Sequence, residues 1–107
     1  MPPLRAESEP AMKRRIVYKF RLYVAGDAQN SAQAVANLKA LCRAHLADRH
    51  EIEIVDVYRE PTRALDDGIM MTPTLIKLAP TPVSRIIGTL AQLQPVLLAL
   101  RLEAIAA

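Results

Sequence analysis

Cysteine is almost missing: Cys42 is the single one in 107 residues. That excludes an intramolecular disulfide, a zinc site made of cysteines, and a two-thiol redox centre within one chain. Histidine is scarce as well. His45 and His50 cannot complete a zinc site with Cys42 unless a carboxylate joins them. No apolar run approaches the roughly 20 residues that a membrane helix needs. The opening stretch, Met1 to Ala11, has no apolar core of the kind a secretory signal carries. These absences point to a cytoplasmic protein with no membrane partner. A large charge excess is also lacking. Fourteen Lys and Arg against eleven Asp and Glu leave a net charge of +3. Such a balance is compatible with an acidic partner and makes no case for nucleic acid.

What is present suffices for one small domain. Hydrophobic residues make up 51% of the chain, too many for a disordered protein. A chain this long buries roughly two-thirds of its unfolded surface without disulfide staples. Residues 1–13, rich in proline, read as a disordered tail, and residues 14–107 as the domain. Lys13, Arg14 and Arg15 could touch phosphate, but a solvated entry to a strand explains them more simply.

Ile16 to Ala25 alternates with period two. Ile16, Tyr18, Phe20, Leu22 and Val24 fall on one side, which predicts a strand. Asn30 and Ser31 are both good helix N-caps. Ala34, Val35, Leu38, Leu41, Cys42 and His45 then recur at helical spacing, predicting an amphipathic helix over about residues 31–47. Cys42 on that stripe reads as a small buried hydrophobe. Ile52 to Val57 predicts a second strand, and strand, helix, strand makes a right-handed βαβ unit. Thr62 to Asp67 fits a short helix stopped by Gly68. Leu75 to Leu78 predicts a third strand. Pro73 at its entry cannot donate to a ladder, and a cis Thr72-Pro73 bond is one way to place it. Val83 to Ile87 completes a hairpin, closed by Gly88. Leu90, Leu93, Leu97, Leu100 and Ala104 predict a last helix. Pro95 belongs in its first turn, so the helix starts between Ala91 and Gln94 and runs to about Ile105. Leu98, Leu102 and Ile105 lie off the main stripe and could meet a partner or a second copy.

The order β-α-β-α-β-β-α, with parallel strands first and an antiparallel hairpin after, is a thioredoxin-like α/β arrangement with a mixed four-stranded sheet. The chemistry of that fold is absent. Gly26 to Ser31 connects the first strand to the first helix and holds no thiol, so disulfide exchange has no nucleophile there. Ser31 has no histidine placed to activate it. Asp66 and Asp67 have no ligand partner near in sequence and read as solvated loop residues. There is no P-loop, no GxGxxG, no HExxH and no repeat, so no cofactor is implied. Binding is the function left over.

Two ordered blocks resemble the KaiB family of circadian clock proteins. The first is Leu22-Tyr23-Val24-Ala25-Gly26, then Asn30-Ser31 and Leu38. The second is Ala64-Leu65, Thr72-Pro73-Thr74-Leu75, Pro82-Val83 and Arg85-Ile86-Ile87-Gly88. With the Ile54 to Val57 strand, the resemblance spans about residues 16–103. It implies a non-enzymatic adaptor that binds the N-terminal ATPase ring of a KaiC-like hexamer. A KaiA-like protein or a histidine kinase is a further implied partner, and a homodimer or tetramer is an implied assembly. It implies a partner surface at Arg85, Tyr18, Asn30 and Gly88. For Tyr18 the alternative, a core-facing strand residue, stands beside that role. Gln33, Glu53 and Gly68 lack the positive charge that the resemblance implies at their positions.

The resemblance also implies a metamorphic chain, whose C-terminal half has two foldings separated by only a few kcal/mol. The residues that bear on that choice are Thr72, Pro73, Ala99 and Arg101. The family often carries Gly-Leu-Asp where this chain has Ala99-Leu100-Arg101. Alanine exceeds glycine in helix propensity by about 1 kcal/mol. A cation near a helix C-terminus adds about 0.3–1 kcal/mol. Both changes predict that this chain favours the thioredoxin-like state. Two readings from other classes compete with the adaptor. One is a thiol redox protein, which the missing cysteine pair opposes. The other is a sensor or stress-signalling module that acts on a histidine kinase and keeps no time.

Overall fold

A computed structural model describes residues 16–102. The predicted tail, the Lys13 to Arg15 cluster, Ala104 and Ile105 lie outside those residues. The elements run β1 (Tyr18–Val24), α1 (Gln29–His45), β2 (His50–Asp56), α2 (Pro61–Asp66), β3 (Thr74–Ala79), β4 (Ser84–Ile87) and α3 (Leu93–Leu100). The strands form one sheet in the order β2-β1-β3-β4. β1 is parallel to β2 and antiparallel to β3, and β3 is antiparallel to β4. The arrangement is thioredoxin-like, as the element order predicts.

The sheet's two faces carry different layers. Tyr18, Phe20, Leu22 and Val24 face α1 and α3 and join Leu38, Leu41, Cys42, Leu75, Val96, Leu97 and Leu100 in one large core. The alternation along β1 puts Tyr23 on the opposite face with Val55, Ile76 and Ala64 of α2. Period two in β1 thus supplies a wall to each layer.

Several boundaries depart from the sequence expectation. Helix α1 begins at Gln29, its N-cap is Ala28, and no side chain caps it. Asn30 and Ser31 therefore lie inside the first turn. Ser31 is buried, and its Oγ accepts the Ala25 N–H at 3.0 Å, so it ties the end of β1 to the helix. Ile16 and Val83 precede their strands and are exposed. Helix α3 ends at Leu100, short of Ile105. Arg101 adopts a left-handed conformation (φ 62°). Its N–H reaches the Leu98 carbonyl at 3.0 Å, and the Leu102 N–H reaches Leu97 at 2.9 Å. This closure satisfies the last carbonyls of the helix. Leu102 is drawn back into the core, so of the two off-stripe leucines Leu98 is the one that faces outward.

Candidate partner-binding surface

Four of the sequence-predicted residues lie at one end of the sheet. Tyr23 of β1 is in register with Thr74 of β3, and Thr74 with Ile87 of β4. The chain enters β3 through Thr72 and a cis Thr72-Pro73 bond. The Gly88 N–H donates to the Pro73 carbonyl at 2.9 Å, so Pro73 and Gly88 are directly joined. Asn30 is exposed in the first turn of α1, at the same end.

The loops at this end are pinned by side chains. One Asp56 carboxylate oxygen accepts the Gly26 N–H at 3.1 Å and the Tyr58 N–H at 2.9 Å, which clips two connections together. Gly26 has φ 53°, and a Cβ there would meet the Tyr58 ring at 3.4 Å. The Thr74 hydroxyl donates to the Met71 carbonyl at 2.5 Å and holds the loop before β3. On these fixed loops sit Tyr58, Met70 and Met71, with Ile87 nearby at exposures of 75%, 91%, 60% and 59%. Each is a large apolar side chain left uncovered at this end of the sheet, and exposed apolar area of this kind is a candidate contact surface. No thiol is present there. Cys42 is fully buried within α1, and its surroundings push the thiol up to about 11.

Arg85 lies beside this end, opposite Ile76 in the ladder and therefore on the α2 face. It donates to the Asp67 backbone carbonyl. Asp67 is the hub of a network that the sequence does not announce. Its Oδ2 accepts the Tyr23 hydroxyl at 2.5 Å and Arg21 Nη1 at 3.0 Å. Arg21 Nε also meets Glu53 Oε1 at 2.9 Å, and Arg63 Nη1 meets Glu53 Oε2 at 2.7 Å. Hydrogen bonds from Arg63 and Arg21 hold the Glu53 carboxyl down to about 2. The Tyr23 hydroxyl, then Arg21, lower Asp67 in the same way. Asp67 is thus a structural residue, not the solvated loop acid expected from its neighbours; Asp66 is the exposed one. One signal was available. Arg21 and Glu53 are direct register partners in the parallel β1–β2 ladder, and an opposite-charge pair at aligned strand positions is a readable cue.

The remaining predicted residues lie elsewhere. Tyr18 starts β1 at the opposite end and is 3% exposed. It is a core residue in this state, stacked 6.2 Å from Phe20, because the β1 alternation turns it under the helices. Ala99 is exposed on α3, and Arg101 caps that helix. Arg101 takes the C-cap position, next to the last carbonyls of the helix, and not a place in the last turn itself. Beneath the cap, Lys77 is 1% exposed. Its Nζ donates to the Leu100 carbonyl at 3.4 Å and lies 5.8 Å from the centre of the Tyr18 ring. Among the described residues no group of His, Cys, Asp and Glu could hold a metal ion. Nor is any helix there long and apolar enough to cross a membrane.

The KaiB domain model matches residues 21–102. The chain belongs to the KaiB family. The circadian clock protein KaiB3 of a Synechocystis species is 46% identical over 81 residues, covering 76% of this chain and 79% of that protein. The circadian clock oscillator protein KaiB of Synechococcus elongatus is 40% identical over 91 residues, covering 85% of this chain and 89% of that KaiB. Among solved structures, the N-terminal domain of Synechococcus elongatus SasA aligns with a TM-score of 0.66 at 19% identity, covering 86% of this chain and 87% of that domain. Chloroplastic thioredoxin z aligns at 0.69 and 19%, covering 92% and 89%. This KaiB-family chain therefore shares its fold with thioredoxins and with the SasA domain.

Proposed function

We propose that this chain is a non-enzymatic clock adaptor that binds the N-terminal ATPase ring of a KaiC-like hexamer and modulates its phosphorylation and ATPase cycle. One observation carries the reading. The end of the sheet where a thioredoxin-like enzyme keeps its thiols offers a pinned, thiol-free, apolar surface instead. Tyr58, Met70, Met71 and Ile87 supply contact area. Asn30, Gly88 and Arg85 flank it with polar and backbone groups. The kinship with proteins named for the circadian clock supports the same reading. Tyr18 acts from within, as a support for β1. The thioredoxin-like state is the binding-competent one, and Ala99 favours it through helix propensity in α3.

The test is co-elution on size exclusion with the host's KaiC-like hexamer, in ATP and in ADP. Nucleotide-dependent co-elution is expected, and Arg85→Glu is expected to reduce it. A second reading is a sensor module that acts on a histidine kinase; the structural likeness to the SasA domain favours it. Failure to bind the intact hexamer in either nucleotide, with capture of a kinase, would replace the first reading by the second.

A further inference from the structure

Among the described residues β4 ends the sheet: it pairs with β3 and has no strand on its other side. A terminal strand leaves a row of backbone N–H and C=O groups open to another chain. The two ends of this sheet differ. The β2 end carries Glu51 and Glu53, and Glu53 is already engaged by two arginines. The β4 end borders a groove of about 540 Å³ between that strand and α3. Ile86, Leu90 and Val96 form its apolar floor, and Pro95 and Ala99 form the helical rim. Neighbouring residues of a strand face opposite ways. Ile86 turns into the groove, and Arg85 turns to the α2 side.

The geometry points to a strand-addition site for an extended peptide segment of a partner, with alternating apolar residues and an acidic residue between two of them. Such a segment lies along β4 as a fifth strand. Its backbone takes up the open N–H and C=O groups, and its apolar side chains enter the groove under α3. The residue between them emerges on the α2 side, against Arg85. A carboxylate suits that place. Arg85 makes its described hydrogen bond to the Asp67 carbonyl alone, and a guanidinium has five N–H donors in a fork that fits a carboxylate. A second copy of this chain suits it less. In antiparallel pairing of two β4 strands, Arg85 meets either its own equivalent or Ile87, and neither offers an acid.

The site does not depend on an ATPase, so it can be tested without one. The isotope-labelled full chain is titrated with an acetylated, amidated hexapeptide, Thr-Val-Glu-Val-Thr-Val, and with its counterpart carrying lysine for glutamate. Saturable amide shifts are expected at residues 84–87, with the glutamate probe bound more tightly. Arg85→Glu should reverse that preference, and Arg85→Gln should erase it, each changing the ratio of affinities about tenfold or more. Ala99→Leu narrows the groove from its helical rim, leaves the Arg85 charge in place, and should weaken both probes alike. Each variant is compared with the wild type by its dispersed amide spectrum. Three outcomes overturn the proposal: shifts confined to residues 50–56, no saturable shift at 84–87, or self-association with rising chain concentration that occupies those same amides.

Discussion

The two faces of the sheet are held by different physics. Among the described residues, fifteen buried ones form the core under α1 and α3, against four under α2. The first face is apolar and, among the described residues, contains one buried cation, Lys77. The second is thin in apolar area and is tied down by the Arg21, Glu53, Arg63, Asp67 and Tyr23 network. Burial is non-directional and scales with area, so the first face tolerates repacking and resists opening. Partly exposed ion pairs contribute little free energy each but fix geometry. The α2 face, which borders the proposed contact surface, is therefore positioned more than it is stabilised.

Leu38→Ala tests the first face most severely. Leu38 is fully buried, and its truncation should cost about 2–5 kcal/mol, read from the urea midpoint. A loss as large from any single residue of the ion network would break the distinction.

Lys77→Met should stabilise the fold by roughly 1–3 kcal/mol, because it removes a charge taken out of water. Burial, then the nearby Arg101 charge, lowers the Lys77 pKa from 10.5. A lowered lysine pKa means that the charged form costs the folded state. The cost is full below the folded pKa and is relieved as pH rises towards 10.5. Tyr18, packed against Lys77, is raised by its own burial and has the opposite effect above pH 10. The Lys77 part is therefore the difference between wild type and Lys77→Met. That difference should shrink with rising pH. A gap that widened instead would show the ammonium to be favourable under α3.

Asp67→Asn should cost about 1 kcal/mol globally, yet its local effect should be larger. Hydrogen exchange is expected to rise at Ala64, Gly68 and Ile69 and stay unchanged at Leu38. Uniform acceleration would mean that α2 and the main core open as one unit. The smallest effect is at acid pH. Glu53 is held at about 2, below its ordinary value, so its stabilisation is present above about pH 4.5 and is lost as pH falls towards 2. Its side chain is 45% exposed, so solvent screening leaves less than about 1 kcal/mol. An Arg63→Gln variant should lose much of that acid dependence, measured as the pH slope of the melting temperature.

The same contrast explains what could be read from the amino acids alone. The large core announces itself through short-range periodicity: alternation at Tyr18, Phe20, Leu22 and Val24, and helical spacing at Ala34, Leu38, Leu41 and Cys42. Those residues recover the element order and with it the fold. The α2 face depends on partners far apart in the chain. Tyr23 and Asp67 are separated by 44 positions, and no local pattern links them. Helix ends were the other gap. Asn30 and Ser31 look like caps, but the Ser31 hydroxyl oxygen is taken by the Ala25 N–H just past β1. Arg101 looks like the next helical residue, but the chain turns left-handed there to bury Leu102. Of the candidate site, Pro73 and Gly88 emerge as directly bonded neighbours. The exposed apolar residues Tyr58, Met70, Met71 and Ile87 were missed, because exposure is a property of the packed molecule and not of the residue.

Cys42 gives the protein a built-in stopwatch. It is the one thiol in the chain, it sits at the interior of the larger face, and it is protonated at neutral pH. A thiol-specific dye cannot reach it until α1 lifts from the sheet. The rate at which the dye attaches therefore counts openings of that layer, without a mutation or an added label site. Any partner or substitution that holds the thioredoxin-like state closed should lengthen the interval between counts.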